Sequence, residues 1–125
     1  MAASTMLGAS AGYAQDEQRI AEAKKEGEVV WYTTLLVDPA VRPLVAAFEA
    51  KYPGVKVRFA LYNSGEIALR LINEAQAGKT QADVIDGAIA SLYKTDLVEP
   101  YQSQVASDYS KQFADEGGRG TAFSV

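Results

Sequence analysis

The chain has 125 residues, 48% of them hydrophobic and 22% charged, with a formal net charge of −4. That suffices for one domain with a real core and offers no basic footprint for nucleic acid. It contains neither cysteine nor histidine, which excludes disulfide frameworks, thiol nucleophiles, Cys/His zinc clusters and histidine-based triads.

Residues 1–14 are small, apolar and uncharged, and the chain turns polar at Asp16. This predicts the rear of a secretory signal peptide, with Gly12-Tyr13-Ala14 as a small-x-small cleavage site, although the basic segment that opens such signals is missing. The alternative is a plain N-terminal tail. The folded part is then residues 15–125. No apolar run approaches the roughly 20 residues of a membrane span.

Asp16 to Glu28 has helix formers, acids first and lysines later, with Gly27 as a stop, predicting a short surface helix. "EVVWYTT" (Glu28–Thr34) is short, β-branched and aromatic, which reads as a buried strand. In "DPAVRPLVAAFEAKYPG", Asp38 is a candidate cap, Pro39 fits a first turn and Pro53-Gly54 ends the helix. Val41, Leu44, Val45, Phe48 and Tyr52 share one face at helical spacing, the face expected to pack inward.

"VKVRFALY" alternates apolar and basic residues, as a strand does. "GEIALRLINEAQAGK" predicts a helix with Ala68, Leu71, Ile72 and Ala75 on its apolar side and Gly78 as its stop. "ADVIDG" reads as a short buried strand, "AIASLYKTDLVEPY" as a short helix with a connector, and "VASDYSKQFADEGG" as a weaker helix. "TAFSV" can begin another strand. The order β-α-β-α-β-α predicts an α/β fold, a three-layer and mostly parallel sheet flanked by helices.

In a parallel sheet the three strand-to-helix junctions emerge along one edge, where ligands bind. Each helix start also presents unpaired N–H groups, a setting disposed toward anions. The first junction carries Thr33 and Thr34, the second Asn63, Ser64 and Gly65, and the third Asp86 and Gly87. These are hydroxyls, an amide, a carboxylate and residues small enough for close backbone approach. Each junction has a purely structural explanation too: Asn63 with Glu66 three residues on is a capping arrangement, and Ser64-Gly65 an ordinary turn.

Enzymatic readings find less. A phosphoacceptor domain would match Asp86 at the end of the third strand, but it needs an acidic pair after the first, where Thr33-Thr34 stands. "GGRG" (Gly117–Gly120) lies outside any strand-to-helix turn and reads as a loop. Asp83 and Asp86 are near neighbours but make no acid/base pair. Trp31, Tyr32 and Phe59 read as core or sheet-face residues. No catalytic set and no cofactor is expected.

The ordered series "AKKEGEVVWYTT", "AAFEAKYPGVKV", "SGE", "QAGKTQADVIDG" and "LVEPY" resembles the first lobe of periplasmic solute-binding proteins of ABC transporters, in the group that includes the ferric-iron binders. The resemblance runs from about Gln18 to Val125. It implies a type II periplasmic binding fold whose two lobes close on a ligand by a hinge motion, an exported, periplasmic and non-enzymatic protein, and a permease in the inner membrane as partner. It further implies that these junctions form one wall of the cleft, with Thr33, Thr34, Ser64, Gly65 and Gly87 as the first candidates for ligand contacts and Asn63, Glu66 and Asp86 as the next.

Two departures stand out. Some iron-binding members place a histidine after the first strand and a glutamate after the third, where this chain has Leu36 and Ala88. Neither ligates iron; other iron binders use tyrosines from the second lobe, so a ferric ion stays open while an organic anion, a carboxylate or phosphonate, is preferred. Family members are also longer, so the chain is expected to be an incomplete member whose open lobe face invites self-association. The rival readings are a cytosolic flavodoxin-like signalling or enzyme domain and an inert remnant.

Overall fold

The computed structural model describes residues 10–87, 90–101, 103, 108, 110–113, 117, 118 and 120. Two compact units are distinguished, one from Met1–Asn63 with Gln81–Gly87 and the other from Ser64–Thr80 with Ala88–Val125.

The first unit contains helices α1 (Ser10–Glu26) and α2 (Arg42–Lys51) and strands β1 (Glu28–Thr33), β2 (Lys56–Leu61) and β3 (Val84–Ile85). The strands form a parallel sheet in the order β2-β1-β3. The expected α/β fold with a parallel sheet is therefore observed. In register, Glu28 lies opposite Lys56 and Thr33 opposite Leu61, while Trp31 and Tyr32 lie opposite Val84 and Ile85.

β1 is central, and its residues are suited to the place: Val30 and Tyr32 are buried, and Thr33 is fully buried at its end. The Tyr32 ring meets Tyr62 edge-on, centroids 5.3 Å apart, an arrangement aromatic pairs favour. Val41 and Val55 complete this unit's core.

Carboxylates finish the sheet where backbone pairing stops. Asp83 exchanges two hydrogen bonds with Val30: its N–H donates to the Val30 carbonyl at 2.9 Å, and its Oδ2 accepts from the Val30 N–H at 2.8 Å. A side-chain oxygen thus stands where a strand carbonyl would, and "ADVIDG" contracts to the two-residue β3. On the opposite edge, Glu49 of α2 accepts from the N–H of Val57 on β2 at 3.0 Å. Its other oxygen takes Lys56 Nζ at 2.9 Å. Edge strands left open recruit other chains, so this contact both holds α2 and blunts the edge.

Three expectations need correction here. Asp38 does not cap a helix: Val37–Val41 forms a π-helical turn and α2 starts at Arg42. The Asp38 carboxylate instead takes Arg42 Nε at 2.8 Å, one turn on and in solvent. The face expected to pack inward does so only partly, for Val41 is buried while Leu44 and Phe48 remain 53% and 37% exposed. At the N-terminus, α1 starts earlier than expected, at Ser10, and continues through Gly12-Tyr13-Ala14 to Glu26; residues 1–9 of the predicted signal segment lie outside the described residues.

The second unit opens with α3 (Ser64–Gln76). Its inward residues are Ile67 and Leu71, both buried, flanked by half-buried Ala68, Ile72 and Ala75. Gly78 stops it with φ +65°, and the N–H groups of Gly78 and Lys79 donate to the carbonyls of Ala75 and Glu74. A residue with a Cβ resists that backbone conformation, hence glycine. Further on, Ala90–Lys94 is a 3-10 helix that buries Leu92. Of the weaker helix expected from Val105, the described residues include the 3-10 turn Lys111–Phe113. Ala88 and the predicted strand Thr121–Val125 lie outside the described residues.

Candidate functional site

A parallel sheet puts the carboxyl ends of its strands on one side. The register of β1 with β2 and β3 therefore brings Thr33-Thr34, Tyr62-Asn63 and Asp86-Gly87 to a common edge of the first unit. Backbone bonds lock the three ends together, the Tyr62 N–H donating to the Thr33 carbonyl at 2.9 Å and the Asp86 N–H to the Tyr32 carbonyl at 3.1 Å.

Asp86 is the hub of this edge and is itself buried. Its Oδ1 accepts from both the N–H and the hydroxyl of Thr34, each at 2.8 Å. Its Oδ2 accepts from Trp31 Nε1 at 2.9 Å. Three donors on one carboxylate satisfy a charge that burial would otherwise make costly. The protein's own carboxylate thus occupies the amide and hydroxyl of Thr34 that the sequence marks as candidate ligand donors.

The other candidates differ in accessibility. Thr33 is fully buried, and its hydroxyl accepts from the Leu35 N–H at 3.0 Å in a local turn. Asn63 and Gly87 are exposed at the edge, Gly87 with φ +121°, a backbone state that favours glycine. Ser64 and Gly65 begin α3 and belong to the second unit. They follow Asn63 directly in the chain; Ser64 is half-buried and Gly65 exposed. Leu36, just beyond the first junction, is 73% exposed.

Sequence reasoning did not find the part played by Trp31, whose indole partner is 55 positions away, or by Asp83, whose carboxylate terminates strand pairing. No local pattern marks either contact. A buried aspartate at a strand end was the available hint, since such a group demands donors.

Among the described residues there is no group of three or more His, Cys, Asp or Glu side chains placed to hold a metal ion. Asp83 and Asp86 each bind donors of the protein itself, so neither stands as a free acid or base. The Glu49 carboxyl is driven below its ordinary range, held there by the Val57 N–H and then by the Lys56 ammonium. It lies against the β2 edge rather than at the strand ends.

A comparison with curated proteins finds no match. The family model described as bacterial extracellular solute-binding protein matches residues 32–120, from β1 to beyond the last described 3-10 turn and well over half of the chain. By that match, and with the α/β fold built on a parallel sheet, the chain belongs to the bacterial extracellular solute-binding proteins.

Proposed function

We propose that the chain contributes one wall of a solute cleft in the binding component of an ABC importer, working outside the cytoplasm without turnover. The family match carries this reading. The wall consists of the edge residues Thr33, Thr34, Asn63, Asp86 and Gly87, with exposed Asn63 and Gly87 as direct contacts and Thr33 and Thr34 as their support. Ser64 and Gly65 enter the proposal through chain order alone. The partner is a permease in the membrane the solute must cross, and in a bacterium with two membranes the place of work is the periplasm.

The ligand is a small organic anion, a carboxylate or phosphonate, drawn by backbone N–H groups at a helix start. A ferric ion is the less favoured cargo, because the described residues bring together no group of three or more His, Cys, Asp or Glu side chains. One observation favours a second reading. Asp86 already neutralises the donors of Thr34, so a solute seated against β1 would fit better if it were neutral and donated hydrogen bonds. A thermal-shift screen of the whole chain decides between them. At a concentration about 100 times its Kd, the right ligand stabilises by about 2.7 kcal/mol and raises the melting temperature by several degrees. A rise with small carboxylates or phosphonates supports the first reading and a rise with neutral polyols or amides the second; a rise with ferric salts alone removes both.

A further inference from the structure

Between α2 and the sheet lies a groove of about 500 Å³, within the 300–1,000 Å³ range of small-molecule sites. It belongs to the first unit: among its described lining residues, Trp31, Val57 and Val84 of the strands form the base, and Leu44 and Phe48 of α2 the wall. Several of these stay wet, with Val84 50% and Leu44 53% exposed. Apolar surface held in water is a standing cost that an apolar occupant relieves.

Among its described lining residues one is a cation, Lys51 at the last residue of α2. Its situation differs from that of the other basic residue of that helix. Arg42 is paired with Asp38, whereas Lys51 has no ion pair among the described residues, and its ammonium rests 5.4 Å from the centre of the Tyr52 ring. A lysine stem lying along apolar surface with its head at the rim is the usual way such a residue serves a greasy site. An apolar body ending in a single negative charge is the chemistry that matches both features. A hydrocarbon leaves the ammonium without a counter-ion, and an amine is repelled by it.

We propose that this groove binds an apolar monocarboxylate, an aliphatic acid with its chain on Trp31, Val57 and Val84 and its carboxylate at Lys51. The site is separate from the strand-end edge and does not depend on the proposed function. Trp31 connects the two places physically, because its ring lines the groove while its Nε1 donates to Asp86.

The test is a fluorescence titration of the full chain with hexanoate, octanoate and decanoate, each kept below its micelle concentration. Trp31 is the only tryptophan, so its emission reports the groove directly. A saturable blue shift is expected, tightening about fourfold per added methylene. Decanol is expected to bind more weakly than decanoate by about two- to fivefold, the usual worth of an exposed ion pair. Lys51→Met should remove that difference by weakening decanoate alone, and Leu44→Asp, at an exposed position that does not threaten folding, should abolish both. The proposal is overturned by the absence of a saturable shift, by decanol matching decanoate on the unmodified chain, or by a decanoate affinity that Gly87→Val lowers and Lys51→Met does not. It is equally overturned if sedimentation shows a dimer that Leu44→Asp dissolves, since a second copy would then fill the groove.

Discussion

One oxygen of Asp86 holds both the N–H and the hydroxyl of Thr34 at 2.8 Å, joining positions 52 apart in the chain. The contact fastens the end of β3 to the loop leaving β1, and with Trp31 Nε1 on the second oxygen it fixes the central strand's last side chains. Removing the carboxylate by Asp86→Ala leaves a half-buried N–H, a hydroxyl and an indole N–H without their acceptor. The cost expected is about 2–4 kcal/mol, because buried donors left unsatisfied lose more than the bond was worth. Urea unfolding followed by Trp31 emission measures it, and a cost below about 0.5 kcal/mol, the level of an inert surface change, would show that the latch is ornamental.

How much of this was visible beforehand depends on whether the cause was local. The alternation of Val55, Val57 and Phe59 and the β-branched run from Glu28 suffice to expect β2 and β1 with nearly their observed bounds. The same holds for the stop of α3 at Gly78, where one residue type carries the geometry. β3 is shorter than its apolar letters imply because Asp83 pairs through its side chain, a substitution that composition does not reveal. Helical periodicity correctly put Leu44 and Phe48 on the face toward the sheet, yet it carries no information on how far one helix covers three strands, and both stay partly exposed. At the candidate site, parallel topology was enough to bring Thr34 and Asp86 to one edge. That they would bind each other rather than stand open requires the distance between them.

Glu49 gives the fold a dependence on pH. Its carboxyl sits below the ordinary glutamate value of 4.5, chiefly through the Val57 N–H and then through Lys56. A depressed folded-state value means that the stabilisation is fully present above the unfolded value and disappears as pH falls through the folded one. The stability advantage of the natural chain over Glu49→Gln should therefore be constant from pH 7 down to about 5 and shrink toward pH 3. Denaturant midpoints of the two chains across that range check the sign; an advantage that grows on acidification would reverse the assignment.

Burial separates two neighbouring apolar residues of α3. Ile67 is fully buried and Leu69 is 63% exposed. Ile67→Ala is expected to cost about 2–5 kcal/mol by loss of transfer energy and by the cavity left behind, whereas Leu69→Ala should stay within about 0.5 kcal/mol. Equal costs measured by chemical denaturation would mean that α3 buries a different face.

The stop at Gly78 is a matter of backbone alone. A Cβ added there meets no atom within 4 Å, but φ is +65°. Gly78→Ala should therefore destabilise by about 1 kcal/mol through conformation and not through crowding. A neutral or stabilising result in the same unfolding assay would show that the turn relaxes freely.

The strand-end edge as a solute wall is tested most directly by backbone amide NMR during titration of the full chain with the solute found by thermal shift. The expected result is saturable movement concentrated at Thr34, Leu35, Asn63 and Gly87, with the amides of Lys51 and Tyr52 in the α2 groove unmoved. Movement confined to α2 and Val84, with those four amides stationary at saturation, would contradict a solute wall at the ends of β1, β2 and β3.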